Sequence, residues 1–303
     1  MQRILVTGAG GFIGGALARQ ALLDGAEVVV LGHAAGAAVV SQHATVIDAT
    51  VSAAALDRLP FAPELVVHCA GGANVQASVA DPAADHARTV GGTAILLDWL
   101  AQNAPAARLI YPSSGAVYGA AAGHPQRRDT TLRPLSPYGR HKAEAEALIQ
   151  AAAVGRGLKA SIVRLFSVYG PGLRKQLLWD GCGKFLRGEV QFFGTGAERR
   201  DFIEISDVVR LLMLAGQAAT AQVPVMDGGT GQGVAISDLL KDLAQSFQPL
   251  PEVSFVGTGR PGDPIDMIAD PAVAAALGWR PQVPLSDGLK RYAAWFRAER
   301  EQT

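Results

Sequence analysis

Short, almost unbroken apolar runs rich in valine, isoleucine and leucine recur through the first two-thirds of the chain, at residues 3–7, 27–31, 44–47, 64–69, 108–111 and 159–165. Polar residues do not alternate within them, so they predict strands covered on both faces, as in a parallel sheet. Longer alanine-rich stretches at 14–23, 81–102 and 136–153 separate the runs and predict helices. Repeated strand–helix–strand spacing predicts an α/β fold with a doubly wound parallel sheet. Beyond Phe166 the pattern changes. Turn signals appear at Gly170-Pro171-Gly172, Gly181-Cys182-Gly183, Gly194-Thr195-Gly196 and Gly228-Gly229-Thr230-Gly231, with helical stretches at 208–215 and 236–245 between them. A strand near 223–226 is expected to return to the sheet. The organisation expected is a core domain over 1–166 and a smaller C-terminal α/β lobe over 167–303, partly interleaved with the sheet.

Composition narrows the class. Of 303 residues, 49% are hydrophobic and 18% charged, enough apolar material for a core and unlike a disordered chain. Lys+Arg and Asp+Glu both number 27, so the basic excess of a nucleic-acid binder is missing. Two cysteines, Cys69 and Cys182, make neither a disulfide framework nor a zinc cage, which fits a reducing cytoplasm. The first glycine, Gly8, comes before any signal-peptide apolar region could form, and no run of about 18 apolar residues suggests a membrane span. The expectation is a cytoplasmic protein without nucleic-acid or membrane partners.

Thr7-Gly8-Ala9-Gly10-Gly11-Phe12-Ile13-Gly14 follows the first predicted strand and opens the first predicted helix. Glycines at 8, 11 and 14 allow a tight turn, close backbone approach to a pyrophosphate and close helix–strand packing; the helix N-terminus adds unpaired N–H groups and a positive dipole end. Gly8, Gly11, Phe12, Ile13 and Gly14 are therefore candidate dinucleotide contacts, with Ala70 after the fourth strand. The end of the second strand normally carries an acid that accepts from the ribose 2′-hydroxyl of NAD. Here that position is Gly32, followed by His33, a partial partner for a 2′-phosphate; the missing acid tilts the reading from NAD toward NADP. Asp48, next to Ala49 after the third strand, is a candidate acceptor for the adenine amino group, or alternatively a turn or helix-cap residue.

Tyr138-Gly139-Arg140-His141-Lys142 sets a phenol and an ammonium four apart, on one face of a helix. A free phenol, with pKa about 10, is a poor base at neutral pH; a neighbouring lysine and a positive nicotinamide ring would favour phenolate. Tyr138 could then exchange a hydroxyl proton while hydride moves to or from the cofactor. Ser113-Ser114 follows the fifth strand, where a hydroxyl could donate to a developing alkoxide.

These segments fall in a familiar order: Thr7–Gly14; His68-Cys69-Ala70-Gly71; Ser113-Ser114-Gly115-Ala116-Val117-Tyr118-Gly119; Ser136-Pro137-Tyr138 with Lys142; Arg164-Leu165-Phe166-Ser167-Val168-Tyr169-Gly170-Pro171-Gly172; Arg200-Asp201-Phe202-Ile203; Arg260-Pro261-Gly262-Asp263; and Leu277-Gly278-Trp279 with Pro281. Together they resemble the extended short-chain dehydrogenase/reductases, the NAD-dependent epimerase/dehydratases of nucleotide sugars. The resemblance implies a Rossmann domain with a sugar-nucleotide lobe, and a catalytic triad of Ser114, Tyr138 and Lys142, the last two also cofactor contacts. It also implies a nucleotide-diphosphate sugar held by Arg200 and Arg260, with Asp263 near the nucleoside ribose and Ser114 and Ser167 at the substrate. Guanidinium groups suit a diphosphate because they offer fixed, paired donors.

Two positions depart from the family pattern: Thr89 and Ser167 stand where asparagine is usual. Dehydratases of the family carry Asp-Glu after the triad Ser/Thr; Gly115-Ala116 cannot ionise, which argues against dehydration. An epimerase acting by transient oxidation at C4 remains the first expectation. An NADPH-dependent 4-keto-sugar reductase is the second, favoured by Gly32, and a non-catalytic dinucleotide sensor the third. The six histidines show no metal-ligand spacing, so no metal is expected. Glu144 and Glu146 read as a solvated helix face and Cys182 as a loop thiol. Met267 lies where some sugar epimerases place a pocket-gating residue. Small apolar residues over 81–102 and 136–153 match the helices through which relatives pair, so a homodimer is expected.

Overall fold

The computed structural model describes residues 1–33, 43–119, 130–258 and 266–301. Strands β1 (Arg3–Thr7), β2 (Glu27–Leu31), β3 (Thr45–Ile47), β4 (Leu65–His68), β5 (Arg108–Ser114), β6 (Lys159–Leu165) and β10 (Val225–Gly228) form one seven-stranded sheet, ordered β3-β2-β1-β4-β5-β6-β10. Every pairing in it is parallel. Both faces are covered, as the unalternated valine and leucine runs require. Leu17, Ala18, Val208, Leu211 and Leu212 pack on one side; Leu96, Leu100, Ile149 and Ala153 pack on the other. Strand order reverses between β1 and β4, and in open parallel sheets ligands bind in the crevice beyond the carboxyl ends at such a reversal.

The expected return of the chain to this sheet is β10, paired with β6. The remaining strands build the smaller lobe. β9 (Arg199–Glu204) lies between β11 (Gly233–Ala235) and β13 (Asp266–Met267) and also pairs with β7 (Ser167–Tyr169); β8 (Gln191–Phe192) pairs with β12 (Ser254–Phe255). Tyr169, Leu240, Tyr292 and Phe296 form its core.

Three local expectations are corrected. Gly181-Cys182-Gly183 is not a turn but the middle of the helix Gln176–Leu186, so Cys182 is a buried helix residue. A Cβ at Gly181 would sit 3.3 Å from a Leu240 methyl, so tertiary packing against the helix Ile236–Ala244 outweighs the helix cost of glycine. The stretch 81–102 is not one regular helix. Asp81 caps a short helix, Pro82–His86, by accepting from Ala84 N, and a π-turn at Ala87–Gly91 follows before Gly92–Asn103 resumes α geometry. Glu146 is not solvated: only 2% exposed, it accepts from Arg164 at 2.7 Å and from Ser113 at 2.5 Å.

Candidate active site

The glycine loop lies at the sheet reversal. Gly8 has φ +70° and donates to the Leu31 carbonyl at 2.7 Å, tying the turn to β2. A Cβ there would lie 2.6 Å from Ala70 N, and one at Gly14 would lie 2.6 Å from the Gly8 carbonyl oxygen. Gly11 caps the helix Phe12–Leu23 without a side chain, so no side chain takes up the first-turn N–H groups, while Phe12 and Ile13 pack their side chains on the core. Backbone this close, ending in such N–H groups, fits a dinucleotide pyrophosphate. His68 supports it. Thr93 Oγ1 donates its only proton to the Thr89 carbonyl and so accepts from His68 Nε2; His68 Nδ1 in turn accepts from Thr7 Oγ1, which also receives Ala70 N–H. Burial, helped by the charge of Lys142, holds the imidazole neutral, with its pKa lowered to about 3. Thr89, at the departure from the family pattern, accepts Gly72 N–H at 2.8 Å and so fixes the loop after β4.

At the adenosine end, a Cβ at Gly32 would meet nothing closer than 3.4 Å, so the absent acid is not forced by crowding. His33 Nδ1 lies 3.8 Å from Asp48 Oδ1, both side chains well exposed, with Ala49 alongside.

The triad candidates converge. Ser114 ends β5, and its hydroxyl accepts from Ala116 N at 3.1 Å and hydrogen-bonds with Tyr138. Ser113 faces the other way, onto Glu146. Tyr138 and Lys142 share the helix Pro137–Arg156, capped by Ser136 and opened by Pro137; Tyr138 N–H is received by Ser78 at 3.0 Å. Lys142, 4% exposed, donates to the Pro112 carbonyl at 3.1 Å, with its Nζ 4.7 Å from the Tyr111 ring centroid and 6.0 Å from that of Tyr138.

The protein's own groups do not make the phenol acidic without the cofactor. Burial pushes the Tyr138 phenol above its usual value, against the hydrogen bond with Ser114, and the charge of Asp85 pushes it the same way. Burial also lowers Lys142 to about 8. The protein alone therefore keeps the proton on Tyr138, and further positive charge at the site is needed to release it.

Substrate candidates are split. Ser167 starts β7, half-buried. Arg200, on β9, donates to the Arg199 carbonyl and lines a cavity of about 820 Å³ between the lobes, with Lys184, Arg187, Phe193 and Arg300. Arg260 and Asp263 lie outside the described residues. Beside the triad, a Cβ on Gly115 would come within 3.1 Å of the Phe166 ring and 3.3 Å of the Met267 methyl, so Met267 does reach this pocket. Two groups near the triad escaped sequence reasoning. The Glu146–Arg164 pair continues through Tyr118 to Asp227. His141 donates to Asp85, 56 residues earlier in the chain. His141 was visible between Tyr138 and Lys142; its partner was not.

A doubly wound sheet with a glycine-loop dinucleotide cradle and a Ser–Tyr–Lys cluster defines a dinucleotide-dependent enzyme. The chain belongs to the NAD-dependent epimerase/dehydratase family, whose model matches residues 4–226. The UDP-glucose 4-epimerase of Mycolicibacterium smegmatis is 30% identical over 97% of this chain and 98% of its own. Among solved structures, the UDP-glucose 4-epimerase of Thermotoga maritima with UDP-glucose is 30% identical, with TM-score 0.90 over 98% of this chain and 99% of that one. The Thermus thermophilus UDP-glucose 4-epimerase in complex with NAD is 27% identical, with TM-score 0.87 over 98% and 99%.

Proposed function

We propose that the chain interconverts C4 epimers of a nucleotide-diphosphate sugar, with NAD as cofactor and UDP-hexoses as the substrate class. The observation that carries this is the meeting of Ser114 and Tyr138 beside the glycine cradle, next to Gly115, which has no acid and whose Cβ position is crowded by Phe166 and Met267. Gly8, Gly11, Gly14 and the first N–H groups of the following helix would hold the pyrophosphate, with Lys142 and Tyr138 at the nicotinamide end. When bound, the dinucleotide supplies the hydride acceptor and donor for C4.

Tyr138 takes the proton of the C4 hydroxyl and later returns it to the opposite epimer. Ser114, by donating a hydrogen bond, steadies the oxygen on which charge develops. Lys142, fixed on Pro112, is the cation that lowers the cost of the phenolate once the positive ring is present. Phe166 and Met267 close the space over Gly115, which supports epimerisation over dehydration. Arg200 and the cationic side chains around it suit the diphosphate; Arg260, Asp263 and Ser167 complete the proposed substrate contacts.

NAD is favoured over NADP by the cofactor of the solved relative; the room at Gly32 keeps a 2′-phosphate as the competing outcome. The exposed apolar side chains Ile95 and Val154, on the helices Gly92–Asn103 and Pro137–Arg156, support a homodimer paired through those two helices.

The test is to denature the purified protein and identify the released nucleotide, then offer UDP- and dTDP-hexoses without reductant. The expected result is released NAD, C4 epimerisation of a UDP-hexose and, in Tyr138→Phe, retained nucleotide with turnover down by about 10³-fold. NADPH-driven reduction of a keto sugar, with no epimerisation, would establish the reductase instead. Sedimentation as a monomer would remove the dimer.

A further inference from the structure

Asp85 is a buried carboxylate that the reaction as described does not use. Its side chain is 1% exposed and that of His141 is 12% exposed, and the Nδ1–H of His141 donates to Asp85 Oδ2 at 2.6 Å. The other oxygen, Oδ1, has no partner among the described residues, and neither does the nearby buried hydroxyl of Tyr111. Oδ1 lies against Gly72, where any Cβ would overlap it, so the carboxylate fits only because the loop after β4 is glycine at that point. Gly72 is in turn held by Thr89 in the π-turn that follows Asp85. His141 sits between Tyr138 and Lys142 in the chain and on their helix.

A buried carboxylate oxygen with no protein partner is costly, so a charge left there calls for a role. We propose that the Asp85–His141 pair is a positioning element of this reaction: its carboxylate favours the ammonium of Lys142 and holds the proton on Tyr138 until cofactor and substrate are in place. The proposal rests on Tyr138 being the proton-exchanging group.

The surroundings fit. The Asp85 charge acts on Tyr138, Tyr111 and Lys142 in the same sense, raising each. Other charged or titratable groups face this region. Glu146 acts on Tyr111 and Lys142 from the shared helix, and Cys69 acts on Lys142 from the end of β4. His68 lies 6.0 Å from Tyr111, ring to ring. On the outer side His86 stands edge-on to His141 at 5.1 Å and pairs with Glu144 at 3.3 Å. Among these groups Asp85 alone acts on Tyr138 by charge.

The hydrogen bond from His141 fixes where the Asp85 carboxylate sits.

The test follows the ultraviolet absorbance of phenolate against pH in the full-length protein loaded with NAD, with Tyr138→Phe as the blank that isolates the Tyr138 transition. Asp85→Asn should move that transition down by about one pH unit. His141→Leu should move it as well, because the carboxylate loses the donor that fixes its position. His141→Asn keeps a donor at the Nδ1 position and should restore the wild-type midpoint. The acidic limb of the kcat profile should shift in parallel, with KM changed less than twofold.

A Tyr138 transition present in wild type but unmoved by Asp85→Asn and His141→Leu would overturn the pair's role and leave the proposed reaction standing. A wild-type curve identical to that of Tyr138→Phe would overturn both. If Asp85→Asn folds poorly, the contrast between His141→Leu and His141→Asn decides alone, since an equal midpoint in both contradicts the proposal.

Discussion

Lys142 donates its ammonium to the carbonyl of Pro112 at 3.1 Å, pinning the helix that carries Tyr138 to the end of the strand that carries Ser114. A buried ammonium with one carbonyl partner is held in place and weakly charged, and burial brings its pKa down to about 8. The lysine should therefore lose its proton within reach of ordinary assays. In the free protein, kcat/KM is expected to fall about tenfold per pH unit above a midpoint near 8, because that profile reports the free enzyme. A profile flat to well past that point would show that the ammonium is not required.

Gly115 marks the second prediction. A Cβ there would already crowd the Phe166 ring at 3.1 Å and the Met267 methyl at 3.3 Å. Gly115→Asp therefore should not acquire dehydration. It should lose epimerisation by at least tenfold, with no dehydrated sugar by mass spectrometry; formation of that product would mean the pocket is more open than this geometry allows.

Behind the triad, Glu146 and Arg164 form a buried pair, with exposures of 3% and 5% at their side chains. Glu146 also receives the Ser113 hydroxyl, and Arg164 passes a second bond to Tyr118. Removing one partner strands the other charge in a dry setting. Glu146→Gln should lower unfolding free energy by about 3–5 kcal/mol in urea titrations, while the same substitution at the exposed Glu144 should change it by less than about 1 kcal/mol.

His68 sets a pH dependence of stability. Its folded pKa of about 3 lies below the ordinary 6.5, so the unfolded chain binds more protons across that interval. The contribution of His68 is fully present above pH 6.5 and is lost progressively as pH falls toward 3. His68→Gln, which cannot titrate, should show a flatter fall of Tm between neutral and acidic pH than the parent. Parallel curves would contradict the buried neutral imidazole.

Much of this architecture was legible in the chain. Unalternated runs such as Val28-Val29-Val30 announce a strand buried on both faces, and Gly8 and Gly14 occupy positions where a Cβ would meet backbone. The resemblance pointed to Ser114 rather than Ser113, and the two hydroxyls do face different partners. Long-range pairing was not legible. Nothing local to Asp85 indicates that it meets His141, or that Glu146, on a helix with alternating charge, turns inward to an arginine on β6. Gly181 misled for the same reason: a glycine chosen for contact with Leu240 reads, in one dimension, like a turn. The burial that opposes ionisation of Tyr138 was not legible either, because it depends on the whole fold while the Tyr–Lys spacing does not.

The fate of deuterium placed on C4 of a UDP-hexose tests the central claim most directly. Hydrogen that leaves and returns within one closed site should be retained in the C4 epimer at nearly full enrichment, with no reduced dinucleotide consumed, and Tyr138→Phe should yield no labelled epimer. Loss of the label to solvent, or one reduced dinucleotide consumed per product, would contradict it.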